Sequence, residues 1–204
     1  MRLGIFGGTF NPIHLGHLLL AETARETLAL DRVLFIPAQQ PPHKSAKDLL
    51  PGALRLKLIQ LAIRDHPAFV ASDIELQRTG PSYSIETVRI LHRRLPDATL
   101  MLLMGQDMLA VPWVEWDELT RLCTVVVAPR PQIEVPRARS VHGARRARAR
   151  HPRGLKWLPM PPLAITSSDI RARIKAGRSI RYLVPTAVAR FIQSQQLYRA
   201  RTAS

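Results

Sequence analysis

The run Thr99-Leu100-Met101-Leu102-Leu103-Met104 is apolar from its second residue to its last and stops at Gly105. A strand with one wet face would alternate polar and apolar positions. An unbroken run therefore reads as a strand buried on both faces, which is the condition of parallel sheets covered by helices on each side. Leu3-Gly4-Ile5-Phe6, Arg32-Val33-Leu34-Phe35-Ile36-Pro37 and Cys123-Thr124-Val125-Val126-Val127-Ala128 have the same character, and Phe69-Val70-Ala71 is a shorter candidate. Helical spacing separates them, over 15–28, over 54–63 (Leu54, Leu58, Leu61, Ala62), from Ser84 as N-cap to about Leu95, and from Trp113 to Leu122. Strands alternating with helices predict an α/β fold, a doubly wound parallel sheet.

Ligands bind such sheets beyond the carboxyl ends of the strands. After the first strand comes Gly7-Gly8-Thr9-Phe10-Asn11-Pro12-Ile13-His14-Leu15-Gly16-His17, which reads as a glycine turn and the first turn of a helix. Free N–H groups and the positive end of the helix dipole attract anions there, and glycines let a ligand approach the main chain. His14 and His17, three apart, share a helical face, with Gly16 adding no bulk between them. Two imidazoles so placed could donate hydrogen bonds to phosphoryl oxygens and stabilise charge as a phosphoryl bond breaks. Taken alone, the glycine pair reads as an ordinary turn beside two solvated histidines; the specificity lies in the eleven residues together. Pro41-Pro42-His43-Lys44, Gly105-Gln106-Asp107 and Arg130 follow other strands, so distant segments are expected to converge on one crevice. Near the C-terminus, Thr166 and Asp169 within Ile165-Thr166-Ser167-Ser168-Asp169-Ile170-Arg171 have capping-box spacing. That helix mouth is either a plain cap with a solvated Arg171 or a second anion site, and spacing alone favours the plain cap.

With 204 residues and 46% hydrophobic residues, the chain suits one well-buried α/β domain. It contains no apolar run of membrane-spanning length and no signal-like start, so a cytoplasmic protein is expected. The lone Cys123 has no internal disulfide partner and reads as a small strand residue rather than a nucleophile. The formal charge is +15, and seven arginines with no acid lie between Arg137 and Arg153. Such a balance attracts polyanions, whether nucleic acid or ATP, pyrophosphate and a mononucleotide. The arginine segment shows no apolar period that would anchor it in a core.

The eleven-residue stretch resembles the TxxHxGH signature of the nucleotidyltransferase superfamily. Pro41-Pro42-His43-Lys44, Pro81-Ser82-Tyr83-Ser84, Gly105-Gln106-Asp107, the Trp113 to Leu119 region, Arg130-Pro131, the Ile165–Arg171 stretch and Ser179-Ile180-Arg181-Tyr182-Leu183-Val184-Pro185 narrow the resemblance to bacterial nicotinate-nucleotide adenylyltransferases, nearly end to end. The resemblance implies a Rossmann-like nucleotidyltransferase fold with a small helical C-terminal part. It implies one domain over 1–204, with the main sheet and acceptor site in 1–130, a basic segment in 131–156, and the second nucleotide motif and C-terminal helices in 157–204. It implies that Gly7, Gly8, Thr9, Phe10, His14, His17, Gly105, Asp107, Ser167, Ser168 and Arg171 bind ATP. Lys44, Tyr83, Ser84, Trp113 and Arg130 would bind nicotinate mononucleotide, and His14, His17, Lys44 and Arg171 would carry the catalysis. On this resemblance Arg171 belongs to a phosphate motif, and Trp113, otherwise a core residue, stacks on the pyridine ring. Departures from the family pattern are few: Asn11 replaces the usual Asp, leaving one less negative charge beside the phosphates. Thr166, Ser168 and Ser84 exchange one hydroxyl for another.

The implied reaction is in-line attack of the acceptor phosphate on the α-phosphorus of ATP, with pyrophosphate leaving and no covalent enzyme intermediate. Mg²⁺ is expected to enter with ATP, since no carboxylate cluster marks a dedicated metal site. A pantetheine-phosphate adenylyltransferase or a cytidylyltransferase would share the first motif without the Trp113 region and the Ser179–Pro185 block. A nucleic-acid-binding protein on the same fold is the rival from another class, suggested by charge alone; no membrane partner is expected, and a homo-oligomer is left open.

Overall fold

The computed structural model describes residues 1–42, 49–129 and 155–199. Among these, six strands form one sheet: β1 (Arg2–Gly8), β2 (Arg32–Pro37), β3 (Phe69–Ala71), β4 (Thr99–Gly105), β5 (Thr124–Ala128) and β6 (Leu155–Trp157). Their order is β3-β2-β1-β4-β5-β6 and every pairing is parallel. The chain leaves β1 toward β2 and β3 on one side, then returns to lay β4, β5 and β6 on the other. The order therefore reverses between β1 and β4, and the carboxyl ends of those two strands frame a crevice.

Both faces of the sheet are buried, which is why the central strands lack polar residues. Leu3, Ile5, Leu100, Leu102, Met104, Val125 and Val127 point to one face. There they pack on Ile85, Val88 and Leu91 of α3 (Ser84–Arg94) and on Leu119 of α4 (Trp116–Leu122). The intervening residues Phe6, Met101, Leu103 and Val126 point to the other face. They meet α1 (Leu15–Thr27), α2 (Gly52–Ile63), α5 (Ser167–Lys175) and α6 (Thr186–Ser194) through Ala21, Ile59, Ile170 and Val188. Leu103 is 1% exposed; its truncation to Ala is expected to cost about 2–5 kcal/mol.

Local signals set the helix ends. The Oγ1 of Thr166 accepts from the Asp169 N–H at 3.0 Å, so the spacing read from the sequence does cap α5. Leu95 precedes Pro96, which disfavours helical backbone and closes α3. Among the described residues no helix is long and apolar enough to cross a membrane.

Five details differ from the sequence reading. Gly7 and Gly8 are the last residues of β1, paired with Ile36 and Pro37, and the chain is turned by Phe10 at φ 45°. Tyr83, not Ser84, is the N-cap of α3, and its side chain makes no capping bond. Trp113 lies before α4, which begins only at Trp116, after a short 3₁₀ helix at Gln106–Ala110. Cys123 sits at the C-cap of α4 rather than in the strand; burial pushes its thiol up to about 12, as befits an inert residue. Finally, Leu155–Trp157, assigned by sequence partly to the basic segment, is the edge strand β6. The arginines of 137–153 lie outside the described residues.

Candidate active site

An open cleft of about 1490 Å³, its mouth included, lies over the carboxyl ends of β1, β4 and β5. Gly7 leaves it room, because a Cβ there would meet no atom within 4 Å. A Cβ on Gly8 would instead press on the Phe10 ring at 3.1 Å. The glycines thus serve by absence of bulk at the end of a strand, not by bending the chain.

From Phe10 the chain passes into α1, whose N-cap is His14. Its imidazole is buried and stacks on that of His17, with centroids 3.6 Å apart and planes at 24°. Phe10 meets His17 edge-on at 5.0 Å. The Nδ1 of His17 accepts from the His14 backbone N–H at 3.2 Å, so a neutral His17 carries its proton on Nε2. Gly16 leaves room for the buried ring: a Cβ there would lie 3.1 Å from Nδ1 of His14, which would have to shift by a few tenths of an ångström. The His-x-Gly-His spacing therefore builds a stacked pair of imidazoles at a helix mouth whose first turn contains no acid.

The loop before that helix is held from behind. Arg55 donates to the carbonyl of Thr9 at 3.0 Å, Arg171 to that of Asn11 at 2.9 Å, and Ser167 to that of Pro12 at 2.8 Å. Inward carbonyls would repel a phosphate; these three are turned to scaffold donors on α2 and α5. Arg55 is 1% exposed, and burial pulls its guanidinium below the ordinary arginine value. The side chain of Asn11 faces the scaffold too. Its Oδ1 accepts from the Leu50 N–H at 3.3 Å and from the Tyr198 hydroxyl at 2.8 Å. The expectation that Asn11 changes the charge beside the phosphates is thereby corrected: the amide is buried behind the loop and does not line the cleft.

The amino ends of three helices reach the cleft: His14 and His17 from α1, Tyr83 and Ser84 from α3, and Ser167 from α5. Three positive helix ends around one cavity suit a ligand set carrying several anionic groups. Between them, Gly105 ends β4 and Asp107 follows it, and Trp113 donates its indole N–H to the Met108 carbonyl at 2.8 Å while lining the wall.

A family model described as cytidylyltransferase-like matches residues 5–173. The "probable nicotinate-nucleotide adenylyltransferase" of Thermomicrobium roseum is 44% identical over 200 residues, spanning 97% of this chain and 92% of that relative. The protein of the same name from Thermus thermophilus is 40% identical over 201 residues, spanning 98% of this chain and 100% of its own length. The chain belongs to the nicotinate-nucleotide adenylyltransferase family. Two solved structures share the fold at low identity. Plasmodium falciparum nicotinic acid mononucleotide adenylyltransferase complexed with NaAD superposes with a TM-score of 0.77 at 15% identity, covering 97% of each chain. The same enzyme complexed with APC gives 0.75 at 14%, covering 97% and 96%.

Of the residues the sequence singled out, Gly7, Gly8, Thr9, Phe10, His14, His17, Tyr83, Ser84, Gly105, Asp107, Trp113 and Ser167 line this one cleft of the adenylyltransferase. Ser168 and Arg171 do not; Arg171 instead bonds Asn11 and, at 3.4 Å, the hydroxyl of Ser168. Lys44 and Arg130 lie outside the described residues. The sequence reading missed Glu75, a buried acid in the cleft wall beside Ser82 and Tyr83. Its carboxylate accepts from the Thr87 hydroxyl at 2.6 Å, with Arg78 at 3.8 Å. Burial raises its pKa, partly opposed by the Thr87 bond and by Arg78. Glu75 stands in Asp73-Ile74-Glu75-Leu76, and an acid between two large aliphatics was the available signal.

Proposed function

We propose that this nicotinate-nucleotide adenylyltransferase joins nicotinate mononucleotide to the adenylyl group of ATP, giving nicotinate adenine dinucleotide and pyrophosphate, a step of NAD biosynthesis carried out in the cytoplasm. One observation carries the reading. The histidine-bearing mouth of α1 and Ser167 of α5 stand in the same cleft as the mouth of α3 and the Trp113 wall, so a triphosphate and a pyridine nucleotide can meet at the strand-order reversal.

In this reading the triphosphate lies along the amino end of α1, with Nε2 of His17 donating to a phosphoryl oxygen. Gly105 and Asp107 face the adenosine, and Ser167 faces the phosphates. Arg171 holds the loop carbonyl of Asn11, and Ser168 supports Arg171. The acceptor lies toward Tyr83, Ser84 and Trp113, with Lys44 and Arg130 assigned to it on the family resemblance. An acceptor phosphate oxygen attacks the α-phosphorus as the bond to the β-phosphate oxygen breaks. The acceptor is already ionised, so the side chains supply position and charge stabilisation rather than a strong base. Among the described residues no group of three or more His, Cys, Asp or Glu is placed to hold a metal. The cleft offers the carboxylates of Asp107 and Glu75, the latter committed to Thr87, and this sparse set fits a Mg²⁺ held chiefly by ATP itself. Mg²⁺ bound in that way would neutralise phosphate charge.

The test is pyrophosphate release with ATP and Mg²⁺ against nicotinate or nicotinamide mononucleotide, with phosphopantetheine and CTP as controls. The expected preference is for nicotinate. The two pyridines share a shape, and N–H donors at the mouth of α3 would satisfy a carboxylate but confront an amide NH₂. Unpaired buried donors cost about 1–3 kcal/mol each, which sets a ratio of kcat/KM of roughly 10 to 10³. Equal rates, or preference for the amide, would reject this acceptor.

A further inference from the structure

The cleft wall formed by residues 105–118 has no buried side chain of its own; every residue in it is half-buried or exposed. Met108 and Leu109 of the 3₁₀ helix, Trp113 and Trp116 pack on the core while only partly buried, and Leu119 is the first fully buried residue of the segment. A further hold on this wall lies outside the cleft. Glu115, the N-cap of α4, sits in the left-handed region at φ 52°, uncommon for a residue with a side chain. Its carboxylate and that of Glu118 are both gripped by Arg89, which projects from α3. The Nε of Arg89 donates to Glu118 at 2.8 Å, and Nη1 donates to Glu115 at 3.4 Å and to Glu86 of its own helix at 2.8 Å. One planar guanidinium thus bridges α3 to both ends of the turn entering α4. The amino end of α3 carries Tyr83 and Ser84, and Trp113, two residues before Glu115, stands edge-on to Trp116 at 5.5 Å.

We propose that Arg89 is a positioning residue for the acceptor: by clamping Glu115 and Glu118 to α3, it sets the distance between Trp113 and the Tyr83–Ser84 helix mouth. This rests on the reading that Trp113 faces the pyridine ring. A surface ion pair ordinarily does little. This one matters because it ties the left-handed turn at Glu115, two residues from Trp113, to the helix whose amino end lines the same cleft. Lysine would not replace the arginine, because a point charge cannot hold two carboxylates in a fixed fork.

The experiment compares Arg89→Met, Arg89→Lys and Trp113→Ala with the parent full-length enzyme. Both KM values and kcat are measured, together with acrylamide quenching of tryptophan emission in a Trp157→Phe background. Arg89→Met is expected to raise the KM for nicotinate mononucleotide roughly 3- to 10-fold, about the worth of a stacked ring, while kcat and the ATP KM stay within about twofold. Quenching should increase, and Arg89→Lys should fall between Met and parent. An unchanged acceptor KM in a folded Arg89→Met enzyme, with Trp113→Ala impaired, overturns the clamp and leaves the site assignment intact. Trp113→Ala with an unchanged acceptor KM overturns the assignment itself and the clamp with it. Equal losses for both substrates would mark Arg89 as a fold residue and also refute the proposal. Should Arg89→Met fail to fold, Glu115→Gln, which loosens the same grip without altering α3, must show the same split between the substrates.

Discussion

Replacing Gly16 by Ala should separate catalysis from stability. The added Cβ would lie 3.1 Å from Nδ1 and 3.2 Å from Cε1 of His14, against an ordinary contact distance of at least 3.4 Å. The ring must therefore move by a few tenths of an ångström. It has little freedom to do so, since His14 is 2% exposed and already stacked 3.6 Å from His17. Displacement passes to His17, whose far side meets Phe10, and strains the bond from the His14 N–H to Nδ1 of His17. Forcing the ring costs about 0.5–1.5 kcal/mol, while Ala in place of a helical Gly returns roughly 0.5–1 kcal/mol. The two nearly cancel. Thermal unfolding should shift by no more than about 4 °C, at roughly 2–4 °C per kcal/mol for a chain of this size. Turnover is far less forgiving of misplaced donors, and kcat at saturating ATP and nicotinate mononucleotide should fall on the order of tenfold. Pyrophosphate release and a thermal melt on the same preparation give both numbers. A folded variant with kcat within about twofold of the parent would show that the stacked pair does not position the reaction.

His17→Ala should lower kcat by a factor on the order of 10² to 10³ in a folded protein, as when a donor to developing charge is removed; near-normal turnover would take His17 out of the chemistry. Glu75→Gln should change how stability depends on pH. Burial raises the folded-state pKa of Glu75 above its ordinary 4.5, so between those values the unfolded chain releases its proton first and stability falls as pH rises. Subtracting the unfolding curves of parent and Gln variant should show that decline beginning near 4.5 and levelling above the folded value; a flat difference would contradict it. Tyr198→Phe removes the 2.8 Å bond to Asn11 and should cost about 1 kcal/mol, lowering the melting temperature by roughly 2–4 °C. An unchanged melt would show that this bond adds nothing to stability.

The sheet was legible because strands buried on both faces lose their alternation and become runs, as Leu100–Met104 did. β6 was not, because an edge strand need not be apolar and Leu155-Lys156-Trp157 carries its lysine in the middle. The histidine motif was legible because His14, Gly16 and His17 interact within one helical turn. Trp113 to Leu122 looked continuously helical, yet the left-handed Glu115 delays the helix to Trp116; a residue type does not announce that conformation. Asn11 and Glu75 were hidden for another reason. Each is defined by partners far along the chain or across a fold, Tyr198 for one and Thr87 for the other, and neither partner follows from local pattern.

The loop between β1 and α1 is braced by residues far along the chain. Ser167, which takes the Pro12 carbonyl, lies 155 residues downstream, Arg171 follows 160 residues after Asn11, and Tyr198 187 residues after it. Leu15 at the start of α1 donates to the carbonyl of Leu183. A half-synthesised or clipped chain can contain the whole histidine motif and still lack these braces, leaving its loop carbonyls turned toward no donor. Order at the cleft is thus tied to segments far along the chain: a fragment ending before Ser167 would keep both histidines and lose the braces from Ser167, Arg171, Leu183 and Tyr198 together.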